Sequence, residues 1–147
     1  MMNFFARLNK FVSGPDKNPY QERKKMLEGK LDSLKSIGGY QASAITDYTG
    51  DLLTADFGQI REALEKTTAG VAKLYTTAEK TGKDLKIGNV RSVVITTAER
   101  VILIASTGED ARARIYAVVI LDRNGNRALA RPAIEKLLED SLKALSA

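Results

Sequence analysis

Three runs dense in β-branched residues crowd the last third of this chain and fix what it can fold into. They are Val90–Thr97 (VRSVVITT), Arg100–Thr107 (RVILIAST) and Arg114–Asp122 (RIYAVVILD). Val, Ile and Thr suit a pleated, half-buried surface, so each run reads as a strand. The separators, Ala98-Glu99 and Gly108–Ala113, are polar and turn-length. Connections that tight join antiparallel neighbours, because a parallel crossover needs a dozen residues or more.

The rest of the chain supplies a hairpin and helices to cover such a sheet. YQASAITD (residues 40–47) alternates, with Ala42, Ala44 and Tyr40 assigned to one face, and DLLTADF (51–57) returns after Tyr48-Thr49-Gly50. A first helix is expected from Pro19 to Ile37, with Met26, Leu27, Leu31, Leu34 and Ile37 as its stripe and Gly38-Gly39 as its end. A long helix is expected from Gly58 to Lys80, with Ile60, Leu64, Val71, Leu74 and Ala78 as its main stripe. A closing helix over Arg131–Leu145 carries Ile134, Leu137, Leu138, Leu142 and Leu145. The order α-β-β-α-β-β-β-α predicts an α+β fold, a five-stranded antiparallel sheet with helices on both faces.

Ahead of this domain, Met1, Phe4, Phe5, Leu8, Phe11 and Val12 recur at helical spacing, so residues 1–12 read as an amphipathic helix. SGPDKNP (13–19) follows as a linker, since both X-Pro pairs disfavour helix. The expected division is residues 1–19 as appended helix and linker and 20–147 as the domain. The Phe4, Phe5, Leu8 and Phe11 face has three possible destinations: the chain's own domain or its mate, a groove on a partner, or an anionic membrane with Arg7 and Lys10 at the headgroups.

Composition removes several kinds of chemistry. There is no Cys and no His, which excludes disulfides, thiolate metal sites and every Ser-His or Cys-His arrangement. No phosphate loop of either common type occurs. Asp47, Asp51 and Asp56 do not have the spacing of a calcium loop, and Asp47 reads as a turn residue. We therefore expect no catalytic residue, no cofactor and no metal. The net charge of +5 sits mostly in residues 1–30, seven basic against three acidic; the other 117 residues hold 16 basic and 15 acidic groups. That balance argues against nucleic acid as a partner. Arg100, Arg112, Arg114, Arg123, Arg127 and Arg131 cluster in the last third, where one could meet a partner or its phosphates. No run approaches the roughly 20 apolar residues of a membrane span, nor is there a secretory h-region, so a cytoplasmic location is expected.

Particular strings fit one family. Ile37-Gly38-Gly39-Tyr40 leads to Asp47-Tyr48-Thr49-Gly50 and then Asp51-Leu52-Leu53-Thr54; after the long helix and three strands comes VVILDRNGNRALARPAIEKLLEDSL. Over residues 20–146 the chain resembles the Roadblock/LC7 domain. The resemblance implies a homodimer, in which the strand after the long helix pairs with its copy and the long helices pack together. It places the interface on Ala63, Thr67, Gly70, Val71, Leu74, Val90, Ser92 and Val94. It also implies a non-catalytic regulator or scaffold of a small Ras-like GTPase. The other reading is a structural adaptor or membrane-associated module with no GTPase partner. The residues give the dimer some support of their own: a strand such as VRSVVITT needs cover at a sheet edge, and Ala63, Thr67 and Gly70 form a small-residue run.

Overall fold

The computed structural model describes residues 19–58 and 61–146. The first helix, α1, spans Pro19–Leu27 and is followed by a single 3₁₀ turn, Lys30–Leu34. Strands β1 (Tyr40–Asp47) and β2 (Leu52–Asp56) form the hairpin, α2 covers Arg61–Asp84, and β3 (Ser92–Thr96), β4 (Arg100–Ser106) and β5 (Ile115–Asp122) follow. Helix α3, Arg127–Ser146, closes the domain. All five strands join one sheet in the order β2-β1-β5-β4-β3, and every pairing is antiparallel. The element order and the α+β architecture are those expected from the sequence.

Strand β5 is central, and seven of its eight residues are buried. Its side chains alternate between two cores. On one face, α1, the 3₁₀ turn and α3 pack Leu27, Leu34, Ile134 and Leu137 over Leu103, Val119 and Leu121. On the other, α2 packs Ala72 and Tyr75 over Ala42, Ala44, Ile104, Tyr116 and Val118. The small alanines of β1 let α2 lie close to the sheet, and the bulk of that core comes from the two tyrosines.

Four expectations need correction. The helix predicted to run to Ile37 stops at Leu27, because Gly29 takes φ +78° and redirects the chain into the 3₁₀ turn. That break buries Leu27, Leu31, Leu34 and Ile37 together and leaves Met26, assigned to the stripe, 43% exposed. Tyr40 does not share a face with Ala42 and Ala44. A bulge between Tyr40 and Ala42 puts Tyr40 opposite Leu121 and Ala42 opposite Ile120, so Tyr40 packs on the α3 side. The long helix is shifted towards the C-terminus, and its buried side runs through Thr68, Ala72 and Tyr75; of the predicted stripe, Val71 packs at the margin of that core and Leu74 is exposed. The side chains of Ile60 and Leu64 lie outside the described residues. Helix α3 starts four residues earlier than expected: the Asn126 Oδ1 accepts the Leu129 N–H at 3.1 Å, and Pro132 falls inside the helix.

Two tyrosine hydroxyls tie these layers together. The Tyr40 hydroxyl donates to Asp56 Oδ2 at 2.6 Å, and the Tyr75 hydroxyl donates to the Val90 carbonyl at 3.0 Å. Burial raises both hydroxyls above the ordinary tyrosine value; the Asp56 hydrogen bond adds to the shift for Tyr40, and Glu79 adds to it for Tyr75, which reaches about 12. A raised acid stabilises the fold in its neutral form. That stability is whole below about pH 10, where free tyrosine begins to ionise, and is lost as pH climbs through about 12. In an alkaline titration, tyrosinate absorbance from Tyr40 and Tyr75 should therefore rise only as helical circular dichroism disappears. All five titrating with the helix signal intact would contradict this assignment.

Candidate interaction surface

Among the described residues, strand β3 hydrogen-bonds to β4 alone, which leaves its other side as an edge of backbone N–H and C=O groups. Its register separates the two faces. Val93 and Ile95 sit opposite Ile104 and Ile102 and join the α2-side core, where they remain only half-buried. Val94 sits opposite Leu103 on the α3 side and is 48% exposed. An apolar side chain that exposed, at the middle of an unpaired strand, is the kind of surface that soluble proteins cover.

Helix α2 presents a second open surface beside this edge. The side facing the sheet is occupied by Thr68, Ala72 and Tyr75, while Gly70 is exposed and Leu74 is 40% exposed. Among the described residues, a Cβ built on Gly70 would meet nothing within 4 Å beyond its own helix. Gly70 is therefore not there to fit α2 onto its own sheet. It costs the helix about 1 kcal/mol relative to Ala. Gly50 gives the contrast: at φ +96°, its Cβ would lie 2.5 Å from the Ala69 Cα. That close approach locks the β1–β2 turn against α2 one residue before Gly70.

The predicted interface residues are only partly brought together. Gly70 and Leu74 are exposed on α2, with Val71 half-buried beside them, and Ser92 and Val94 lie on the edge strand. Val90 precedes the strand and is taken up under α2, where its carbonyl receives the Tyr75 hydroxyl. Ala63 and Thr67 belong to α2, but their side chains lie outside the described residues, as do Phe4, Phe5, Leu8 and Phe11. Sequence reasoning missed Val93, Ile95 and Ile102, which form a half-covered apolar strip between α2 and the edge. Strict alternation within β3 and β4 was the available signal.

The charged groups behave as structure more than as a reaction centre. Asp47 Oδ1 accepts the N–H groups of Thr49 and Asp51 at 2.9 and 3.0 Å, the turn role expected of it. A cleft of about 450 Å³ lies at the C-terminal end of α2, lined by Glu79, Lys83, Thr107 and Glu109 among others. Two ion pairs lie there: Lys83 pairs with Glu109, and Arg114 pairs with Glu79, both at 2.7 Å. The Lys83 ammonium holds the Glu109 carboxyl below its ordinary value.

Comparison with solved structures agrees with the topology. A Roadblock/LC7 domain from Streptomyces avermitilis matches with a TM-score of 0.68, over 84% of this chain and 98% of that one, at 14% identity. This is a Roadblock/LC7-like fold. The gliding protein MglB from Thermus thermophilus matches at a TM-score of 0.66 and 15% identity, covering 92% of this chain and 94% of its own. An MglB with a tetrameric arrangement matches at 0.61 and 17% identity, over 90% of this chain and 95% of that one. No protein-family model and no curated protein matches the sequence. Among the described residues, no helix of the Roadblock-like domain is long and apolar enough to cross a membrane.

Proposed function

We propose that the protein acts by binding, as a homodimeric, non-catalytic regulator or scaffold of a small Ras-like GTPase. One observation carries the dimer: among the described residues, a β3 edge with exposed Val94 has no strand on its outer side, and the exposed face of α2 has open space where a Cβ on Gly70 would stand. A second copy would extend the sheet through β3–β3 pairing and set the two α2 helices together at Gly70 and Leu74. The tetrameric arrangement of one MglB supports oligomer formation on this fold. The GTPase as partner comes from the Roadblock resemblance, and the likeness to a gliding protein favours it. The action would be to stabilise one conformation of that GTPase, to an extent set by the difference in affinity for its two nucleotide states.

The test is binding of the full chain to a small GTPase encoded beside its gene, loaded with GDP or with a non-hydrolysable GTP analogue. A difference of about tenfold or more in Kd between the two states is expected of a regulator. Equal affinities would replace the regulator with a structural adaptor. The N-terminal pattern of Phe4, Phe5, Leu8 and Phe11 favours peripheral membrane contact as an accompanying role. Flotation with anionic vesicles should then be lost from a chain starting at Tyr20, and a cytoplasmic location is part of the same proposal.

A further inference from the structure

The six arginines of the last third separate to two ends of the sheet. Arg112 and Arg114 lie by the β4–β5 connection, where Arg114 is paired with Glu79. The other four gather at the opposite end. Arg100 stands across from Asp122 in the β4–β5 register, and the Arg123 N–H bonds to the Glu99 carbonyl at 3.0 Å. Arg127 Nη1 reaches Thr96 Oγ1 at 3.5 Å, and Arg131 follows one helical turn later. All four are exposed.

Among the described residues, none of the four is in an ion pair. Arg100 is held instead by a neutral group, with Nε donating to Gln41 Oε1 at 2.6 Å. The first turn of α3 contains no acidic residue, and Arg127 stands at the positive end of the helix. A cation placed there costs about 0.3–1 kcal/mol. That position therefore works against the stability of the helix that carries it.

The chemistry is specific to guanidinium. From Ile87 to Glu135 every basic residue is Arg and none is Lys. Arg presents a planar fork that meets a carboxylate through two parallel hydrogen bonds, which a lysine ammonium cannot do. Apart from these four, residues 31–147 hold 12 basic and 15 acidic groups, so that stretch has no general attraction for polyanions. The four arginines have no aromatic neighbour in the β5–α3 segment 122–131 on which a base could stack. Leu129 is the one exposed large apolar residue beside them, too little to hold a lipid surface.

We infer that Arg123, Arg127 and Arg131 form a docking surface for an acidic face of a partner protein, whose carboxylates the guanidinium forks receive; Arg100, in phase with Ile102 and Ile104, belongs to the α2 side of the sheet. This rests on the reading that the protein works by binding, and not on which partner it binds or on the dimer. The probe is a fluorescent decaglutamate peptide, titrated by anisotropy against the full chain at about 0.15 M salt. Arg123→Glu with Arg127→Glu should weaken binding about tenfold or more. Lys136→Glu with Lys143→Glu, the same charge change placed further along α3, should alter it less than about twofold. Arg123→Gln and Arg131→Gln, at positions without internal partners, should each reproduce part of the loss if the double variant misfolds. Absence of peptide binding, an equal loss in the lysine variant, or tighter Arg-dependent binding of duplex DNA or phosphatidylserine vesicles would each overturn the inference. Light scattering on the same samples reports the dimer separately, so failure here and failure of the dimer are distinguishable.

Discussion

Gly70→Arg should convert the protein to a monomer that still folds cooperatively. The substituted side chain enters open space in the isolated protomer, since among the described residues nothing beyond its own helix lies within 4 Å of a Cβ at that position. It also removes the propensity cost of a helical glycine, about 1 kcal/mol. In the paired arrangement the same side chain would stand between two α2 helices and bring a buried charge with it. The expected loss is at least about a hundredfold in dimer affinity, or roughly 3 kcal/mol. Multi-angle light scattering at micromolar concentration reads the mass directly. The melting temperature gives a second signature: it should depend on concentration for the native chain and not for the variant. Val94→Asp should act in the same direction from the other face of the sheet, because Val94 points to the α3 side and reports strand pairing without touching α2. Dimers that survive both substitutions would place the interface elsewhere.

The second large effect is on stability. Tyr75→Ala should cost about 3–5 kcal/mol, the range for removing a buried aromatic from a core. Tyr75 is 1% exposed, packs its ring 5.1 Å from that of Tyr116, and spends its hydroxyl on the Val90 carbonyl. It is the largest fully buried side chain that α2 contributes, so its loss loosens both the helix and the approach to β3. Tyr75→Phe keeps the packing and should cost only about 1 kcal/mol for the lost hydrogen bond. Leu74→Ala, one residue away, should stay within about 0.5 kcal/mol in the monomeric Gly70→Arg background. Urea unfolding in that background separates protomer stability from association. A Leu74 effect equal to that of Tyr75 would mean that the wrong face of α2 has been assigned to the sheet.

The contrast between Tyr75 and Leu74 marks how far periodicity reaches. On α2 two apolar stripes are available a short rotation apart, one through Ala72 and Tyr75 and one through Val71, Leu74 and Ala78. A helical pattern locates both but does not say which meets the sheet. The choice is made by β1, whose Ala42 and Ala44 leave room for a tyrosine ring. Tyr40 is the same lesson in a strand: one bulged residue moved it to the opposite face, which alternation alone does not reveal. Gly29 was legible as a glycine but not as a break, since only the joint burial of Leu27, Leu31 and Leu34 favours redirecting the chain there. The arginine surface is legible only as a cluster in the sequence; the strand order sends Arg112 and Arg114, the latter paired with Glu79, to one end and the other four to the opposite end.

By itself the sequence determined the identity and order of the elements, the antiparallel sense of the strands and the lack of His and Cys chemistry. Each follows from local causes: β-branched runs, turn-length separators, glycine stops and residue type. Tertiary structure alone decided which strand is left at the margin, which side of α2 is spare and which arginines gather at one end of the sheet. Those are outcomes of burial among segments distant in the chain, where one apolar face can be satisfied only at the expense of leaving another open.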